Sequence, residues 1–146
     1  MPVQENLALA SAGAKISMAT SWHPVHKAEN TIDGNNKTFW VTTGLFPHEL
    51  ILTLTQVVAV RKIIITSMKV ARWTVESSVA EKPQKFEMFT EQDVEDADQA
   101  IQTVTLLPSN PETSARHLRL IITKGHAPFT SVHKIVVYGD PVSSAG

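Results

Sequence analysis

The chain has 146 residues, enough for one domain with a single substantial core and too few for two. Thirteen Lys and Arg against fourteen Asp and Glu leave a formal net charge of -1, without the basic excess that holding a nucleic-acid backbone requires. Cysteine is absent, which excludes a disulfide framework and any thiolate metal site and predicts a reducing, intracellular address.

Met1 to Asn6 has neither the basic start nor the apolar run of a signal peptide, and no segment reaches the ~20 apolar residues of a membrane span. The expectation is a soluble, unexported protein. Trp22 lies between Ser21 and His23-Pro24 in a predicted loop. A short helical turn is predicted around Ala28 to Ile32, because Pro24 and Gly34 punctuate the segment on either side. From Glu29 to Trp40 runs Glu-Asn-Thr-Ile-Asp-Gly-Asn-Asn-Lys-Thr-Phe-Trp, where oxygen-bearing side chains cluster on a turn that leads into two aromatic residues. Glycine and asparagine tolerate positive φ and so favour the turn, while Phe39 and Trp40 need a core to cover them. The polar loop is thereby anchored by the fold beneath it and is a candidate cation site.

Beyond Trp40 the apolar residues recur at period two or in short β-branched runs, divided by turn formers about every ten residues, the rhythm of an all-β sandwich. Leu50, Leu52 and Leu54 alternate with Ile51, Thr53 and Thr55, and Val57 to Val60 lead to Ile63-Ile64-Ile65, the composition of a central strand. Trp73, following Arg72 after a strand, is read as packing under the rim or as a stacking platform. Glu91 to Asp98 holds five carboxylates in eight residues with no lysine or arginine among them. It lacks the glycine and closing glutamate of an EF-hand loop, so it reads as a solvated acidic loop. Leu118, Leu120 and Ile122 lie on one face of a strand ending at Lys124-Gly125. Ile135 to Tyr138 forms the last strand, and residues 126–131 form a loop between the two. Residues 1–141 are thus read as one β-sandwich domain and residues 142–146 as a flexible tail.

Catalytic patterns are missing. The six glycines stand singly, so there is no phosphate cradle and no nucleophile elbow. The six histidines are read as surface or loop residues, and the spacing of His23 and His26, without a nearby carboxylate or cysteine, does not define a zinc site. No pair of carboxylates is singled out for glycoside hydrolysis. The expectation is a non-enzyme.

Three groups of residues carry a family resemblance over about residues 6 to 139: Asn6-Leu7-Ala8; Glu29 to Asn35 with Thr38-Phe39-Trp40; and Ala115 to Leu120 leading to Ser131-Val132 and Ile135 to Gly139. In this order they resemble the discoidin, or coagulation factor type C, family, whose fold is a galactose-binding-like jelly-roll β-sandwich. More narrowly, Thr42-Thr43-Gly44, Phe46-Pro47, Glu49, Phe86-Glu87 and Phe129 to His133 are similar to a ciliary branch of that family. The resemblance implies a non-catalytic subunit of the intraflagellar transport B complex, working in the cilium or flagellum and the cytoplasm near the basal body. Its implied partners are a Rab-like small GTPase, intraflagellar transport protein twenty-seven, and other subunits of that complex. It also implies a calcium ion held by Asn30, Asp33, Asn35, Thr38, Ser131 and His133, with the last two on a late loop. Lys134 stands where many family members have glutamate, which removes an acidic ligand. The alternative implied by the family is a glycan- or lipid-binding module, with Trp22, His23, Arg72 and Trp73 as contacts.

Overall fold

The computed structural model describes residues 6–20, 27–34, 38–43, 46–96, 101–110, 113–127 and 129–141. Eight strands run through them: β1 (Lys15–Ala19), β2 (Trp40–Thr43), β3 (His48–Met68), β4 (Val70–Ser78), β5 (Glu87–Asp93), β6 (Gln102–Leu106), β7 (Ser114–Gly125) and β8 (Phe129–Pro141). Every pairing between them is antiparallel. Two short 3-10 turns, Ala10–Ala12 and Ala28–Ile32, are the helical elements among the described residues. The second has the bounds expected from its punctuation. The predicted tail, Val142 to Gly146, lies outside the described residues.

The organising element is β3. Its two apolar runs read from the sequence are one continuous strand of 21 residues, because Thr55 and Gln56 between them are no turn formers. The pairing changes along its length. Residues 48–53 lie between β1 and β7, whereas residues 58–68 lie beside β8 and β6, and the register with β7 shifts between Thr53 and Val58. The strand therefore leaves one layer and enters the other. One layer is β1, the first half of β3, β7, β4 and β5; the other is β2, β8, the second half of β3 and β6. This is the expected all-β sandwich.

The core lies between the layers and keeps period two by means of bulges. Leu50 and Leu52 point inward opposite Leu120 and Leu118, and Leu54 and Ile122 are buried with them. Inward positions then change from Val58 and Val60 to Ile63 and Ile65, and the extra residue that resets the alternation is Arg61. Arg61 is left outside, where it donates to Asp140. Trp40, Trp73 and Phe89 are the largest buried side chains, each at 1% exposure or less. Fully burying a side chain of this kind stabilises the fold by roughly 1.5–3 kcal/mol relative to leaving it in water, and all three belong to the one core cluster.

Trp73 is thus a core residue and is not placed to stack on a ligand. The two other corrections concern histidines and acids. His48 and His117 are buried at 6% and 2%, because both lie on sheet faces covered by neighbouring chain. The acidic stretch begins inside β5, and three of its carboxylates meet cations from neighbouring chain: Arg72 of β4 donates to Glu91 and Asp93, and Lys69, between β3 and β4, donates to Asp96. Cross-strand neighbours, invisible in a linear reading, supply the cations.

Candidate functional site

The oxygen-rich segment is shaped by local backbone rules. Thr31 Oγ1 donates to the Ala28 carbonyl at 2.7 Å and the Asn30 amide to the Lys27 carbonyl at 3.0 Å, which closes the 3-10 turn. Asp33 caps it, and Gly34, at φ 75°, takes the left-handed conformation that reverses the chain towards β2. Ile32, buried at 2%, roots the turn in the core.

The reversal brings three of the predicted ligands together. Thr38 Oγ1 donates to Asp33 Oδ2 at 2.5 Å and lies 3.4 Å from the Asn30 carbonyl oxygen. The Asn30 side chain instead donates from Nδ2 to the Phe39 carbonyl at 3.1 Å, which ties the turn to the start of β2. A carboxylate, a hydroxyl and a carbonyl therefore converge, all hard oxygen donors of the kind a calcium ion takes. Calcium needs six to eight oxygens, so further backbone groups or water would have to complete its shell. Asn35 lies outside the described residues.

Ser131 and His133 are not on a loop. β8 already begins at Phe129, because Thr130 and Val132 are buried and pair with Thr42 and Trp40 of β2. Thr66 faces Lys134 and Ser67 faces Val132, so His133 is the extra residue of a bulge in β8. Such a bulge re-aims a side chain, and here it sends the imidazole to Ser131, whose Oγ lies 3.0 Å from Nε2, and beneath the Phe39 ring at 5.1 Å between centroids. Burial pushes the imidazole below the usual histidine range, so it is neutral at physiological pH. A neutral imidazole nitrogen suits softer transition metals better than calcium. The Ser131–His133 pair and the Asn30–Asp33–Thr38 oxygens thus flank Phe39 as two chemically different groups. Among the described residues no three His, Cys, Asp or Glu side chains gather as metal ligands.

On the remaining surface, Arg119 donates from Nε and Nη2 to Glu49 Oε2, at 3.1 and 2.6 Å, and from Nη1 to Glu76 at 3.2 Å. It also lies over the Phe86 ring. The hydrogen bond to Glu49 raises the guanidinium above its ordinary range and holds it charged. Thr53 and His117 lie 2.8 Å apart, yet both are buried and the histidine's other nitrogen is taken by backbone carbonyls, so the pair serves packing. Of the contacts named for a glycan, Trp22 and His23 lie outside the described residues, and Arg72 is engaged by Glu91 and Asp93.

The F5/8 type C domain family matches residues 14–135. The human protein "Intraflagellar transport protein 25 homolog" is 35% identical over 139 residues, spanning 95% of each chain. The chain belongs to the F5/8 type C family, in its intraflagellar transport protein 25 branch. The Chlamydomonas reinhardtii intraflagellar transport protein 25 is 33% identical over 127 residues, 87% of this chain and 66% of its own. Among solved structures, a Clostridium perfringens module in complex with GalNAc-β-1,3-galactose superposes with a TM-score of 0.75 at 21% identity, covering 92% of this chain and all of the module. A chitosan-binding module from a Paenibacillus chitosanase/glucanase gives 0.74 at 20% identity, covering 92% of this chain and 99% of that one. At such identities these two establish the jelly-roll fold and nothing about ligands.

Proposed function

We propose that this chain is a non-catalytic subunit of the intraflagellar transport B complex that binds a Rab-like small GTPase, intraflagellar transport protein twenty-seven, and supports cargo movement in the cilium or flagellum. The observation that carries the reading is the match to the human relative from end to end, at 35% identity over 95% of both chains. The physics of the fold favours an adaptor. A sandwich whose surface strands are fixed by antiparallel ladders presents a preformed face, so a partner binds it at little cost in ordering. No described helix is long and apolar enough to cross a membrane.

Within this reading, Asp33, Thr38 and the Asn30 carbonyl would hold a calcium ion. Bound there, the ion would supply charge neutralisation and a rigid link between the 3-10 turn and β2. Ser131 and His133 would border that site without completing it.

Expression of the fluorescently tagged chain in ciliated cells tests the reading. Bidirectional movement along the axoneme is expected. Uniform cytosolic signal with no ciliary entry would overturn it.

A further inference from the structure

On the layer that carries β1, the loop between β4 and β5 folds over the sheet and encloses a cleft of about 400 Å³ against Lys15, Ser17, Thr53, Thr55 and Arg116. Its outer wall is built rigidly. His117 Nε2 donates to the carbonyl oxygens of Ala80 at 2.9 Å and Glu81 at 3.2 Å, which places the proton on Nε2. His117 Nδ1 then meets the Thr53 hydroxyl, which in turn contacts Ser17. Ser78 closes the loop from beneath by donating to the Gln84 carbonyl at 2.5 Å and accepting from the Ala80 amide at 3.2 Å.

The floor is equally constrained. Gly13 has φ 98°, and a Cβ there would meet Thr55 Cγ2 at 2.4 Å, so only glycine lets the chain pass this close to β3. The cleft is therefore a formed concavity of the size that takes small molecules.

Its charge is one-sided. Lys15, Lys82 and Arg116 line it against the single carboxylate of Glu81, on a chain whose formal net charge is -1. None of the three cations forms an ion pair among the described residues, in contrast to Arg61, Lys69, Arg72 and Arg119. Arg116 Nε is buried without any hydrogen-bond acceptor. A buried guanidinium N–H left unpaired is costly, and Arg116 is one of the residues that line the cleft.

We infer that this cleft is an anion site that takes a phosphate group carried on a small polar molecule. Arginine meets phosphate oxygens through its planar fork, and lysine does so as a point charge. The Thr55 hydroxyl is an exposed donor at the same wall. The cleft exceeds a bare phosphate and leaves room for the polyol or sugar that bears it. The site lies apart from the Asn30–Asp33–Thr38 turn, and it stands or falls independently of the transport reading.

Titration calorimetry with pyrophosphate and with inositol hexakisphosphate, at about 0.15 M salt where screening acts beyond ~8 Å, tests the site. The wild-type chain binds one of them saturably with one-to-one stoichiometry. Arg116→Gln and Lys82→Glu each weaken binding about tenfold, whereas Lys124→Glu on the far end of β7 leaves it unchanged. Lys82 is exposed, so its variant folds even where the Arg116 variant does not. Sedimentation with vesicles containing phosphatidylinositol bisphosphate separates the two sources of such a group. Co-sedimentation abolished by Lys82→Glu assigns a lipid headgroup, and binding of the soluble probes alone assigns a free metabolite. Absence of saturable binding to any probe, or equal weakening by Lys124→Glu, overturns the proposal.

Discussion

Asn6 Oδ1 accepts a hydrogen bond from the backbone amide of Val137 at 2.9 Å, across 131 positions of sequence. The same oxygen accepts from the Ala8 amide at 2.9 Å, and Leu7 donates its own amide to the Val137 carbonyl. One side chain thus fastens the start of the described chain to β8. Replacement by alanine leaves the Val137 amide partly buried without its acceptor. Asn6→Ala is expected to lower stability by about 1–3 kcal/mol, read from urea unfolding followed by tryptophan fluorescence. An unchanged midpoint would show that the contact carries no weight.

His133 makes stability depend on pH. Burial lowers its folded-state pKa below the ordinary value of 6.5, so on the acid side of that value the unfolded chain binds the proton more readily than the folded one. Stability is therefore intact above the unfolded pKa and falls as pH drops through it towards the folded value. His133→Gln keeps a polar group near Ser131 and removes the titration. Its unfolding free energy between pH 7.5 and 5.5 should decline less than that of the wild type, and parallel profiles would assign the decline to other groups.

The oxygens of Asn30, Asp33 and Thr38 lead to a calcium prediction. Under the proposed ion binding, calcium raises the melting temperature of the wild-type chain, since a ligand that binds only the folded state stabilises it. Asp33→Ala removes the carboxylate and abolishes the shift. A wild-type melting temperature that is the same in calcium and in chelator would sink the idea.

The layers were legible in the sequence because burial on one face imposes period two, and Leu50 to Leu54 and Leu118 to Ile122 display it openly. The 3-10 turn at Ala28–Ile32 was legible from its flanking Pro24 and Gly34. The bulge at His133 was not, since a single extra residue in β8 shows only against its partner Thr66–Ser67 in β3. The pairing of residues 129–132 with β2, equally hidden in the linear sequence, makes strand residues of an expected loop pair. The burial of Trp73 was hidden for a related reason: whether an aromatic on β4 faces the core or the solvent depends on a register that the strand alone does not fix. The cleft lined by Lys15, Lys82 and Arg116 draws on three distant segments, and only the crossing of β1, β7 and the β4–β5 loop brings them together.

The assembly claim is tested most directly by affinity capture of the tagged chain from ciliated cells, followed by mass spectrometry in calcium and in chelator. Recovery of a Rab-like small GTPase together with other intraflagellar transport B subunits is the predicted result. Recovery of glycoproteins or lipids alone, with no transport subunit in either buffer, would contradict it.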